Sequence, residues 1–147
     1  MVQRSPSELY TLDETAWLEQ TAELVRSGRW QEIDPETLAE YLADMARRDR
    51  REVFSRLVVL LTHLLKWEFQ PAQRSASWRG TIREQRRELK LLVDSQVLRS
   101  HADSVFAEAY AEARLQAADE TECDPSIFPI DGVGTLEEAL DSPITDA

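Results

Sequence analysis

One cysteine, four glycines and six prolines are all that the 147 residues contain. The lone Cys123 excludes an intramolecular disulfide and a cysteine-based metal cluster. It fits a reducing compartment, and a cytoplasmic location is expected. The two histidines, His63 and His101, lack the HxxxH spacing of a helical zinc site, so no metal and no cofactor is expected. Long apolar runs are missing too. The longest, Leu57–Leu61, is far short of the ~20 residues of a membrane span, and the opening MVQRSPSELY has no apolar core of a secretory signal. Glycine-rich phosphate loops and nucleophile elbows are likewise missing.

Positive charge is scarce overall but not evenly so. The formal net charge is −11, which argues against a general nucleic-acid binder. Residues 1–46 carry 3 basic and 10 acidic side chains, residues 47–99 carry 13 and 6, and residues 100–147 carry 1 and 12. A basic middle (+7) thus lies between acidic arms of −7 and −11. Acidic helices neutralising basic neighbours account for this simply; a basic surface for an anionic partner is the alternative.

With so few breakers the interior reads as helix. Leu57–Trp67, LVVLLTHLLKW, is apolar at eight of eleven positions, and a helix apolar nearly all round must be covered on most sides. It is the expected central helix, about Asp49–Phe69, stopped by Pro71. Before it, Thr11-x-x-Glu14 has capping-box spacing ahead of a stripe from Leu12 to Val25, closed by Gly28. Asp34-Pro35-Glu36 starts a second helix with Leu38, Tyr41, Leu42 and Met45 as its buried face. Whether the chain breaks near residues 46–48 is open. After a loop at 71–77 come an amphipathic helix, about Trp78–Asp94, a turn at Ser95–Ser100, and a helix, about His101–Glu120, with a face of alanines. That face suits intramolecular packing or, as an alternative, a homodimer seam.

The expected architecture is all-α: an antiparallel helical bundle of about five main helices with an irregular C-terminal segment. Residues 1–10 read as a flexible leader, 11–120 as the helical domain, and 121–147 as an irregular arm packed in part on it. Within the arm, Ile127, Phe128 and Ile130 are candidate anchors. They lead to the expectation that residues 120–131 pack on the basic helix and screen it from anions.

Three stretches, EIDPETLAEYLADM (Glu32–Met45), HLLKWEFQP (His63–Pro71) and RSASWRGTIREQR (Arg74–Arg86), resemble the domain of unknown function 29 family of bacterial all-helical proteins. Their order and separation match as well, over about residues 10–140. The chain departs from the family pattern at Ala46, where glycine is usual, and at Gln96, where proline is usual after Ser95. The resemblance implies a mostly helical fold and no activity, since the family has none assigned.

Two clusters bear on function. His63, Lys66 and Trp67 lie within one helical turn, and Arg74, Ser75 and Trp78 follow in the next loop and helix start. A hairpin there would bring two indoles, an imidazole and cations together, suited to an anionic or aromatic ligand. The same set also reads as a polar network holding the hairpin. His63 as a base oriented by Glu84 or Glu52, with Ser75 or Ser77 as nucleophile, would make an enzyme, but spacing does not bring these groups together, and an enzyme is the lesser expectation. The second cluster is a basic stripe, Arg79, Arg83, Arg86, Arg87 and Lys90, without an accompanying nucleic-acid motif. Direct nucleic-acid binding is therefore a secondary expectation. The leading one is a protein-interaction or regulatory module with an unknown protein partner; the alternative is an enzyme or binder of a phosphate-bearing or nucleic-acid ligand.

Overall fold

The structure, a computed structural model, describes residues 5–131 and 134–146. They form six α-helices and three single 3-10 turns, with no strand among the described residues. The all-α expectation holds. The helices are α1 (Pro6–Leu12), α2 (Glu14–Arg26), α3 (Pro35–Phe69), α4 (Ala76–Leu92), α5 (Gln96–Thr121) and α6 (Leu136–Asp141). The chain divides into two compact units, residues 1–47 and 48–147.

In the first unit a helix already begins at Pro6, inside the stretch read as a leader. Ser5 caps it, accepting from the Glu8 amide while the Glu8 carboxylate accepts from the Ser5 amide. The next helix is capped by Asp13 and not by Thr11. Thr11 lies in α1 and donates to the Ser7 carbonyl instead. Gly28 ends α2 at φ +69°, a left-handed position that only glycine takes without strain. Trp17 is buried, and its ring meets Tyr10 and Tyr41 at centroid distances of 4.9 and 5.4 Å.

Helix α3 does not break at residues 46–48. Its start is as read: Asp34 accepts from the Glu36 amide and the Thr37 hydroxyl, and Pro35 is the first helical residue. Ala46, of the residue type that forms helix best, stands where a break was conceivable, and no breaker interrupts the run. The expected second and central helices are therefore one helix of 35 residues. The predicted buried face near its start is only partly buried, and Leu42 is exposed.

In the second unit, the stretch read as the centre of the fold is the centre. Val53, Leu57, Leu60 and Thr62 are fully buried, with Leu61, Leu65, Lys66 and Trp67 nearly so. Each such Leu or Val stabilises the fold by ~1.5–3 kcal/mol before chain entropy is counted. Helices α3 and α4 run antiparallel, since Arg56 donates to Gln85 while Lys66, further along α3, stands over Trp78, earlier on α4. Ser75 caps α4 through the Trp78 amide. The turn expected at Ser95–Ser100 is helical from Gln96, because Ser95 caps it through the Leu98 amide. Gln96 occupies the first helical position of α5. The alanine face of α5 (Ala102, Ala109, Ala113 and Ala117) is fully buried against the chain itself.

The irregular arm returns along α5. Arg114 donates to the Phe128 and Pro125 carbonyls, Tyr110 to the Pro129 carbonyl, and Arg99 pairs with Glu137. Of its three candidate anchors only Phe128 is buried, edge-on to Phe69; Ile127 and Ile130 are exposed. Residues 120–131 thus contact α5 and α3, and the expectation that they screen α4 is overturned. It is α6 and residues 142–146 that lie along α4. Val133, Gly132 and the first four residues fall outside the described residues.

Candidate functional site

Helix α4 presents its basic residues on the flank of an apolar face whose Ile82 and Leu89 are buried in the core. The chain then lays its last described residues against that flank. Lys90 pairs with Asp141 at 2.7 Å, Arg79 pairs with Asp146, and Arg86 donates from Nε to the Ala139 carbonyl and from an NH2 to the Ser142 carbonyl. Trp67 donates from Nε1 to the Thr145 carbonyl at 2.9 Å. Residues 143–146 have no regular secondary structure, so this is a short strap held by its backbone oxygens and two carboxylates.

Between strap and helix runs an open trough of about 640 Å³, lined by Arg79, Arg83, Arg86, Arg87 and Lys90 and by Asp141 and Asp146. Five cations thus face two carboxylates. Arg87, itself exposed, also pairs with half-buried Glu88 at 3.3 Å, which neutralises it weakly. Burial depresses the Arg86 pKa, and Asp141 acts in the opposite sense. All five residues of the predicted stripe therefore share one surface.

The other predicted patch is brought together in part. The guanidiniums of Arg74 and Arg79 stand 5.1 and 5.2 Å from the Trp67 ring centroid, and Arg74 Nε donates to the Trp67 carbonyl. Ser75 lies nearby, alongside Trp67, Arg74 and Arg79, but its hydroxyl is committed to capping α4. Lys66 is buried between Trp78, 4.6 Å from its ring centroid, and Glu120, 2.9 Å from its Nζ. Burial pushes the Glu120 carboxyl up, but hydrogen bonds from Lys66 and Gln116, with the Lys66 charge, hold it below its usual value.

His63 is half-buried, with Nδ1 2.8 Å from the Val59 carbonyl one turn back. Burial, with the Lys66 charge, lowers its pKa; the Val59 carbonyl and Glu120 oppose this. Neither acid proposed to orient it does so. Glu84 is exposed on α4, and Glu52 bonds Arg56 three helical turns away, roughly 16 Å along the axis. Ser77 is exposed on α4. The imidazole–carboxylate–serine arrangement is thus not assembled.

Sequence reasoning read residues 121–147 as an arm packed in part on the domain but did not bring residues 142–146 to α4. Leu136, Ala139 and Leu140 are buried at i, i+3 and i+4 spacing, and that short stripe behind the Thr135 cap was the available signal. Among the described residues no helix is long and apolar enough to cross a membrane, and no three His, Cys, Asp or Glu side chains gather as a metal site would need.

The fold and the strap-covered basic helix define an all-helical protein with a trough lined by five cations and two carboxylates. Residues 9–144 match the family described as Domain of unknown function DUF29, nearly the whole chain, and the protein belongs to that family. No curated protein and no solved structure matches it.

Proposed function

We propose that the protein is a cytoplasmic interaction module that recognises an acidic, extended segment of a partner protein along α4. One observation carries this reading: the trough already holds such a segment, the chain's own residues 141–146, and its five cations still outnumber the two carboxylates. Arg86 and Trp67 take backbone oxygens, as a peptide-binding surface does, while Arg79 and Lys90 take side-chain charge. Nucleic acid is the weaker candidate because the chain's net charge of −11 repels a polyanion at long range.

The test is a titration of the full chain with a fluorescent peptide reproducing residues 139–146. It is repeated on a variant with Asp141→Asn and Asp146→Asn, and on one with Arg83→Glu and Arg87→Glu. Binding should strengthen in the first variant and be lost in the second, and should weaken with salt. If heparin or RNA binds more tightly than the peptide, the phosphate-binding alternative replaces this reading. Absence of peptide binding in the first variant would sink it.

A further inference from the structure

Residues 142–145 also wall a second space, a cavity of about 310 Å³. Its apolar sides are Leu61, Leu64 and Leu65 of α3, Phe106 of α5 and Ile144. That volume and lining are those of a small-molecule site. Arg86 lines the cavity as well, and it is half-buried. Its two hydrogen bonds go to neutral carbonyls, those of Ala139 and Ser142. A guanidinium has five N–H donors, so three remain without a partner among the described residues. Asp141 acts on this guanidinium by charge without a hydrogen bond to it, so its remaining N–H donors are open to a bonded acceptor, and a carboxylate is the group that matches its fork.

We propose that this cavity binds a small monocarboxylic acid with an apolar body, its carboxylate on Arg86 and its body against Leu61, Leu64 and Phe106. Glu68 and Glu138 also line the cavity, and both are exposed. Two carboxylates on the lining oppose a second negative charge on the ligand, so the site selects a monoanion. Arg74, half-buried on the lining, adds to the positive potential.

The experiment is calorimetric titration of the full chain with phenylpropionate, the alcohol phenylpropanol, and the dianion phenylsuccinate. The carboxylate should bind saturably and about tenfold or more tighter than the alcohol, as expected when a charge-assisted hydrogen bond is removed. The dianion should bind more weakly than the monoanion. Arg86→Gln should bring the carboxylate down to the level of the alcohol. Leu64→Trp, which fills the cavity without touching the charge, should abolish both. No saturable binding, equal binding of acid and alcohol, or binding indifferent to Leu64→Trp would each overturn the proposal. Should Arg86→Gln fail to fold, the ligand series and Leu64→Trp decide alone. The cavity and the trough share Arg86 and Ile144, and the two proposals are told apart by variants outside that overlap: Arg83→Glu with Arg87→Glu should remove peptide binding and spare the carboxylate, and Leu64→Trp should do the reverse.

Discussion

The two units are held by different means. Among the described residues, unit 2 buries twenty apolar ones in one cluster, built on α3, α4, α5 and α6. Among those of unit 1, two apolar ones are buried, Trp17 and Leu24, along with Thr21 and Thr37, and this unit relies on capped helix ends and the stack of Trp17 with Tyr10 and Tyr41. Helix α3 shows the contrast within a single element. Its early residues, among them Ala39, Ala43 and Ala46, are helical by propensity and leave Leu42 exposed, whereas Leu57, Leu60 and Leu65 are helical and buried. Extending an existing helix costs far less than nucleating one, so the buried portion can sustain the exposed one. A helix therefore need not carry a large core at both ends.

The largest effect should come from Leu60→Asp, which places a charge at a fully buried site in unit 2. It should destabilise by about 4 kcal/mol or more and abolish a cooperative melt followed by circular dichroism. Leu64→Asp, at a half-buried site, should cost less and leave a lowered but measurable midpoint. Equal melts for wild type and Leu60→Asp would mean that unit 2 does not hold the stability.

Next in size is Trp17→Ala, which removes the buried ring at the centre of the aromatic stack. A loss of about 3 kcal/mol is expected, and hydrogen exchange should show it confined to residues 5–47. Slow amides of residues 53–67 should keep their protection, because local opening follows cooperative units. Loss of protection in both regions would show that the two are one thermodynamic body.

A smaller change, of opposite sign, is expected at Thr62. Its Oγ1 is buried without a hydrogen-bond partner among the described residues. Thr62→Val keeps the shape and removes the desolvated hydroxyl, so it should stabilise by about 1 kcal/mol. A lowered melting temperature would show that the hydroxyl is satisfied.

The mildest effect is a pH dependence. His63 has a folded-state pKa below its usual 6.5, through burial and then the Lys66 charge. As pH falls through 6.5 the unfolded chain takes up a proton that the folded chain refuses, so stability declines, and the decline ends below the folded-state value. Melting temperatures measured between about pH 7.5 and pH 5 should fall in the wild type and fall less in His63→Gln. Parallel curves would place the imidazole in water.

Legibility in the sequence followed the same divide. Leu57–Trp67 announced a covered helix because its apolar density admits few other arrangements, and the cap at Asp34 was readable from residue type. The run through residues 46–48 was not, since neither a breaker nor a cap marks a decision there, and only propensity favours continuity. The basic stripe was legible as a helix face, but its occupant was not. Charge pointed to residues 120–131, whereas burial of Leu136, Ala139 and Leu140 brought residues 139–146 to α4 and left Ile127 and Ile130 exposed. Pairing by charge over a distance carries little geometric information, and three apolar side chains outweighed it.

The strap is gripped at Ala139, Ser142 and Thr145 by carbonyl oxygens, which every amino acid possesses. Replacing the side chain of Ser142 or Thr145 therefore leaves each of these acceptors where it is, so long as the backbone keeps its path. The identity of the grip resides in its donors, Trp67 on α3 and Arg86 on α4.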